Sequence, residues 1–417
     1  MPPLEFFRLQ TRQEVLALYE RFPAVGAEQI ELAAACGRIT AAAITAPEAV
    51  PGFLRATMDG YAVRAQDTFG ASVGAPQYLE VKGEVPMGAA PERGAGPGET
   101  LRVATGAMLP DGTDAVVMLE YTAEHPDGTL EVRRAVAPGE NVLAPGEDVA
   151  PGEVILPAGR RLRPQEIGLL AALGLTAVMV YRKPRVAVLS SGDEIVPLEG
   201  RPRPGQVRDS NAYLAAAQVA EWGGLPRMDG IVPDDFAALR AALAAAMDAA
   251  DLILVSGGSS VGVRDLTLTA IQDLPGAEIL VHGVALRPGK PTIMASLGTP
   301  GLKPLLGLPG HPASAAVVME VLGRPLLTQL CGLTDPASWG RTVTARLSRN
   351  LAGATGREDY VRVRLRREDE VIWADPVLGP SGLLSPLVKS DGLVMIPLGV
   401  EGLFRGEEVA VQLFQWS

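Results

Sequence analysis

Between residues 183 and 333 the chain alternates short apolar runs with longer amphipathic stretches. The apolar runs cover residues 186–189, 252–255, 292–295 and 305–308, and a further strand is expected over 227–231. Runs of that length, rich in Val, Ile and Leu, suit strands buried on both faces. The segments between them, 210–222, 234–248, 265–274 and 312–330, carry helical periodicity. Such alternation predicts an α/β unit built on a doubly wound parallel sheet. Outside it the pattern changes. Residues 77–81, 100–103, 115–119 and 129–133 alternate apolar and polar positions between Gly and Pro, which predicts a small all-β insertion. Strand patterns return at 342–347, 360–366, 371–374, 392–397 and 408–414, predicting a C-terminal β domain. Near the N-terminus, Val15, Leu16, Leu18 and Tyr19 fall on one side of a helix over 11–22. Residues 27–38 read as a second helix closed by Gly37. Residues 160–182 read as helix then strand. The expected organisation is an N-terminal mixed domain (1–50 with 140–182), a β insertion (51–139), the α/β domain (183–333) and the β domain (334–417).

Composition narrows the function. A chain of 417 residues, 47% hydrophobic and 20% charged, is globular and too long for one core. Its net charge of −11 argues against bulk nucleic-acid binding and against an anionic membrane surface. It leaves an anionic small ligand open, because local loops set the field in a cleft. The longest apolar run, 167–180, is broken by Gly168 and Gly174 and is too short to span a bilayer. The first residues lack the basic start and apolar core of a signal peptide, so a cytoplasmic location is expected. Cys36 and Cys331 make no disulfide framework and read as small core thiols.

Candidate chemistry concentrates in loops that follow strands. Ser256, Gly257, Gly258, Ser259, Ser260, Val261 and Gly262 come straight after the 252–255 run. Glycines and serines in succession expose backbone N–H groups and hydroxyls as a nest for phosphate. Arg264 adds positive charge, and Asp265 offers a hard oxygen for Mg²⁺. Residues 185–194 repeat the design, ending in Ser190, Ser191, Gly192, Asp193 and Glu194. Arg287 and Lys290 bracket a Pro-Gly turn, and Pro309, Gly310 and His311 precede a helix start at Pro312. In an open parallel sheet such loops converge on one crevice, so four together predict a site for a phosphorylated ligand with a metal ion. Asp234 has two readings, a helix cap or a site acid with a free oxygen. Asp59, Thr105 and Asp148 stand in turns beside strands and are ordinary turn residues on the sequence alone. Arg362, Arg364 and Arg366 share one strand face and read as a solvated sheet face.

The order Met58-Asp-Gly-Tyr-Ala-Val63, Thr105-Gly-Ala107, Gly146-Glu-Asp148, Ser191-Gly-Asp-Glu194, Ser256–Gly262, Arg287-Pro-Gly-Lys-Pro291 and 308–314 resembles the MoeA-type molybdopterin molybdenumtransferases, relatives of the gephyrin E domain. The likeness runs along nearly the whole chain. It implies four subdomains, one of them an α/β domain like molybdopterin adenylyltransferase, and an elongated homodimer. The reaction it implies inserts molybdate into adenylylated molybdopterin with release of AMP. It also implies Mg²⁺ as cofactor and leaves room for a pterin adenylyltransferase as partner. Under the resemblance Asp59, Thr105, Asp148, Glu194, Asp234 and Asp265 form the catalytic set, with the last three as metal ligands. Ser191, Gly192, Ser256, Gly257, Gly258, Ser259, Gly262, Arg287, Lys290, Pro309 and Gly310 would hold the pterin nucleotide. Asp59, Thr105 and Asp148 fall at the molybdate or pterin end, within reach of a second subunit. Ser385 matches more loosely. Arg287 stands where some relatives carry lysine, keeping charge but with a forked geometry, and His311 where some carry asparagine. Two alternatives compete: a pterin adenylyltransferase, disfavoured by the long flanking parts, and a gephyrin-type scaffold, which would not need the acids.

Overall fold

The computed structural model describes residues 9–257, 261–298, 301–334 and 340–414, with the backbone alone for 261–265. Helix α1 (Arg12–Ala17) starts at a capping box, in which Thr11 Oγ1 accepts from the Glu14 N–H and the Glu14 carboxylate accepts from the Thr11 N–H. A 3₁₀ turn, Leu18–Arg21, continues it. The second predicted helix is absent. Residues Ala27–Glu31 form strand β1 instead, followed by a 3₁₀ turn over Leu32–Ala34. The Glu, Gln and Ala content favours a helix locally, but pairing with a distant strand overrides it. That pairing aligns Ile30 with Val178.

The insertion forms a six-stranded sheet from β2 (Gly60–Val63), β3 (Gln77–Glu84), β4 (Glu99–Val103), β5 (Ala115–Met118), β6 (Thr122–Glu124) and β7 (Thr129–Val132). Its order is β5-β2-β4-β3-β7-β6. Both faces are covered: Ala62, Leu101, Val103 and Val116 pack in one cluster, and Tyr61, Val63, Leu79, Val117 and Leu130 in another. Helix α2 (Pro164–Ala172) and strand β8 (Ala177–Tyr181) complete the N-terminal half, with β8 the antiparallel partner of β1.

The α/β part contains β9 (Arg185–Ser191), β10 (Ile195–Val196), β11 (Val207–Arg208), α3 (Asn211–Glu221), β12 (Leu225–Val232), α4 (Phe236–Ala249), β13 (Leu252–Gly257), α5 (Val261–Gln272), β14 (Glu278–His282), β15 (Ile293–Leu297), β16 (Lys303–Leu308), α6 (Pro312–Val318) and α7 (Arg324–Leu330). Sheet order is β12-β9-β13-β16-β15-β14. The four strands β12, β9, β13 and β16 are parallel, but β15 runs antiparallel to β16 and β14 antiparallel to β15. The sheet is therefore mixed rather than wholly parallel. Its core strands are buried on both faces: Leu252, Ile253 and Leu254 are all fully inaccessible. Each such side chain stabilises the fold by about 1.5–3 kcal/mol relative to exposure. Helix α5 opens at Val261, four residues earlier than the sequence pattern predicts, which shortens the Gly/Ser loop. The predicted single helix over 312–330 is interrupted by a π turn, Met319–Gly323, just before Pro325, whose missing N–H cannot serve a regular ladder.

The C-terminal strands β17 (Thr342–Leu347), β18 (Glu358–Glu368), β19 (Val371–Pro376), β20 (Gly392–Ile396) and β21 (Glu408–Leu413) close on themselves in the order β18-β19-β17-β21-β20, returning to β18. Val363, Ala374, Val394 and Val411 fill the barrel. A short strand, Leu286–Arg287, adds to the barrel by pairing in parallel with Glu358 and Asp359. It ties the α/β part to the barrel. Of the two cysteines, Cys331 is buried but Cys36 is exposed, so only one is a core thiol.

Candidate functional site

The chain passes from β9 to β12 on one side of the sheet, while β13 and β16 lie on the other. The carboxyl ends of β9 and β13 therefore flank a topological switch point, where open α/β sheets bind ligands. Register sets Ser190 opposite Ser256 and Ser191 opposite Gly257. The two buried hydroxyls, Ser190 Oγ and Ser256 Oγ, share a 3.0 Å hydrogen bond. Glycine is required beside them. Gly257 has φ +155°, and a Cβ there would stand 2.2 Å from the Ser191 carbonyl oxygen. At Gly192 a Cβ would meet the Glu194 carboxylate at 2.7 Å. Above this floor lies a cavity of about 360 Å³ lined by Ser190, Glu194, Arg208, Asn211, Ser256, Gly257, Gly310 and His311, among others. Asn211 Nδ2 donates to the Gly310 carbonyl at 2.9 Å, joining α3 to the loop before α6.

Asp234 does not cap α4. Asp235 does, accepting from the Ala238 N–H at 2.9 Å. Asp234 instead accepts from the Ser191 hydroxyl at 2.8 Å, and its own N–H donates to Asp193 Oδ1 at 3.2 Å. Both contacts turn it toward the end of β9. For α3, the cap comes from Asp209, which accepts from the Ala212 N–H. Gly258 and Ser259 lie outside the described residues. Gly262 and Asp265 fall in the first turns of α5, where the backbone alone is described.

Arg287 and Lys290 do not line the serine cavity. Pairing of Leu286–Arg287 with the barrel strand carries their turn into a second, larger cleft of about 860 Å³. That cleft lies between the α/β part and the barrel, and Gly310 and His311 border both spaces. It also collects Ser314, Arg357, Arg362 and Ser381. Pro309 lines this cleft too. Asp359 is buried at its base, accepting from Arg357 Nε at 3.1 Å, with Arg287 Nη1 3.9 Å from its other oxygen. Arg362 is not part of a solvated face. It is half-buried and donates through Nη2 to the Gly379 carbonyl at 2.7 Å, while Nη1 is buried without a hydrogen-bond partner among the described residues. Burial lowers its pKa from the usual arginine range. In the sequence Arg357 and Ser381 fall in polar turns, 356–360 and 381–385, that carry little signal alone, and Arg362 reads as part of a solvated sheet face. Period-two alternation correctly groups Arg362 with Arg364 and Arg366, but only the fold shows which of them is covered.

Asp59 and Thr105 of the insertion and Asp148 of the N-terminal mixed domain line neither space. Asp59 Oδ1 accepts from the Thr105 N–H at 2.6 Å, and this backbone bond is the main reason its pKa lies below the usual carboxylate value. Asp148 is exposed, on a turn held by its N–H to the Val50 carbonyl and by Gly146 N–H to the Pro51 carbonyl. Ser385 opens a short helix, Ser385–Val388, at the edge of the barrel.

Comparison with known proteins agrees along the chain. Residues 9–174 match the MoeA N-terminal region (domain I and II), 187–329 a probable molybdopterin binding domain, and 344–414 the MoeA C-terminal region (domain IV). The molybdopterin molybdenumtransferase of Nostoc sp. is 36% identical over 92% of this chain and 88% of its own. That of Bacillus subtilis is 34% identical over 93% and 90%. Among solved structures, a molybdopterin biosynthesis MoeA protein from Pyrococcus horikoshii OT3 superposes with a TM-score of 0.85 at 30% identity, covering 98% of this chain and all of that one. With such identity carried through all three matched regions, the chain belongs to the MoeA family of molybdopterin molybdenumtransferases.

Proposed function

We infer that this protein inserts molybdenum during molybdenum cofactor biosynthesis, moving it from molybdate to the dithiolene of adenylylated molybdopterin and releasing AMP. The observation that carries this reading is the adjacency of two different spaces, a serine- and glycine-floored cavity at the sheet's switch point and a cation-lined cleft beside it. The first suits a nucleotide phosphate, received by hydroxyls and close backbone. The second suits an oxyanion such as molybdate, faced by Arg287, Lys290, Arg357 and Arg362. Gly310 and His311, common to both, put the two ligands within reach of each other.

Mg²⁺ would be held by Glu194 and Asp234, joined by Asp265. The described residues hold no cluster of three or more acids, histidines or cysteines. Phosphate oxygens and water would complete the coordination of such an ion. When bound, it would neutralise charge on the pyrophosphate linkage. Within the chain, Ser191 orients Asp234 and the glycines at 192 and 257 keep the approach open. Asp59, Thr105 and Asp148 belong to the same reaction in this reading, at the pterin or molybdate end. A homodimer would let them come from a second subunit. No described helix is long and apolar enough to cross a membrane, and a cytoplasmic setting fits a biosynthetic enzyme.

The test is AMP release from adenylylated molybdopterin in Mg²⁺ buffer, with and without molybdate. Molybdate-dependent release with metal-loaded pterin is expected. Tight binding without release would mean a scaffold, and no binding would overturn the reading.

A further inference from the structure

The serine cavity presents an electrostatic problem for the ligand it is read to take. Its lining includes the carboxylates Glu194 and Asp209. Lys290 and Arg287, the cations expected beside the phosphate, line the other cleft. Among the described lining residues the one lysine or arginine is Arg208.

Arg208 lies on a flap that no motif of the chain marks. Strands β10 and β11 pair in parallel, Ile195 with Val207 and Val196 with Arg208. Hydrogen bonds from the Val207 N–H to the Glu194 carbonyl (2.9 Å) and from the Asp209 N–H to the Val196 carbonyl (3.0 Å) fix β11 beside the end of β9. Directly after Arg208, Asp209 is buried and engaged in capping α3. The Arg208 side chain is exposed, and its Nε donates to the Leu198 carbonyl at 3.0 Å. Its two terminal nitrogens have no hydrogen bond or ion pair among the described residues. The guanidinium is thus braced at one nitrogen and free at the two that would make a forked contact.

Building on the nucleotide reading of this cavity, we propose that Arg208 is a binding residue for the ligand's nucleotide phosphate, reaching it from the flap that lines the same cavity as Ser190 and Ser256. Its positive charge offsets the repulsion that Glu194 and Asp209 of the lining exert on an anion. AMP should then bind the wild-type protein more tightly than adenosine does, and that difference should shrink in Arg208→Ala.

Titration calorimetry of the full chain with AMP and with adenosine tests this. Loss of a charge-assisted contact should weaken AMP binding by about ten- to a hundredfold and leave adenosine binding unchanged. Arg208→Lys should recover part of the loss. Thermal melting checks that the flap variant folds. Equal weakening of both ligands would assign Arg208 a structural role, and unchanged AMP binding would remove it from the site; either overturns the proposal. Failure of wild type to bind AMP at all would overturn the nucleotide reading, and this proposal with it.

Discussion

Ser191 donates its hydroxyl to Asp234 across 2.8 Å, and this bond separates Asp234 from its neighbour Asp235, which caps helix α4. Adjacent aspartates thus have different work. Asp234→Asn keeps an acceptor for Ser191 and removes the charge. It should leave the melting temperature unchanged and cut molybdate-dependent AMP release at least tenfold. Asp235→Ala should do the reverse, costing about 1 kcal/mol of stability for the lost cap with turnover intact. Turnover of Asp234→Asn at the wild-type rate would remove that carboxylate from the site.

Gly257 faces the Ser191 carbonyl so closely that a Cβ would lie at 2.2 Å. Backbone on both sides cannot yield cheaply. Gly257→Ala should destabilise by about 1–3 kcal/mol, as overpacking does, and should also weaken AMP binding. Denaturant unfolding together with calorimetry separates the two effects. A variant of wild-type stability would show that β9 and β13 can part at their ends.

Lys290 stands in the larger cleft, on the far side of Gly310 and His311 from the serines. Lys290→Ala should therefore raise the molybdate concentration needed for half-maximal turnover severalfold while AMP affinity holds. If AMP affinity fell instead, the two spaces would act as one phosphate site.

Glu166 gives the acid limb of stability. Its carboxylate accepts from the Arg163 side chain and backbone and from Arg160, which pull its pKa from 4.5 to about 2. Because the folded value lies below the unfolded one, the stabilisation is complete above about pH 4.5. It disappears as pH falls toward 2. Glu166→Gln should melt lower than wild type at pH 7, with the gap closing between pH 4.5 and 2. A gap that is constant with pH would show that the charge contributes nothing.

What the sequence determines by itself is local. Apolar runs such as 252–255, four aliphatics bounded by Asp251 and a Ser/Gly loop, announce buried strands, because a strand covered on both faces needs apolar residues at every position. The turn glycines at 192 and 257 follow from the backbone that a strand needs when it ends against a neighbour. Family membership, too, was legible in the order of the turns, although no single turn is specific. Tertiary structure decides whatever depends on a partner distant in the chain. Residues 27–31 have helical composition, yet pair with 177–181 as a strand, since backbone hydrogen bonding and the burial beside Val178 outweigh a small propensity. The Arg287–Lys290 turn resembles a fourth loop of the crevice until its pairing with Glu358–Asp359 draws it into the barrel cleft. Arg362 and Arg208 are ordinary exposed-looking arginines in one dimension. They come to line cavities because a barrel face and a two-stranded flap pack against walls that come from elsewhere in the chain.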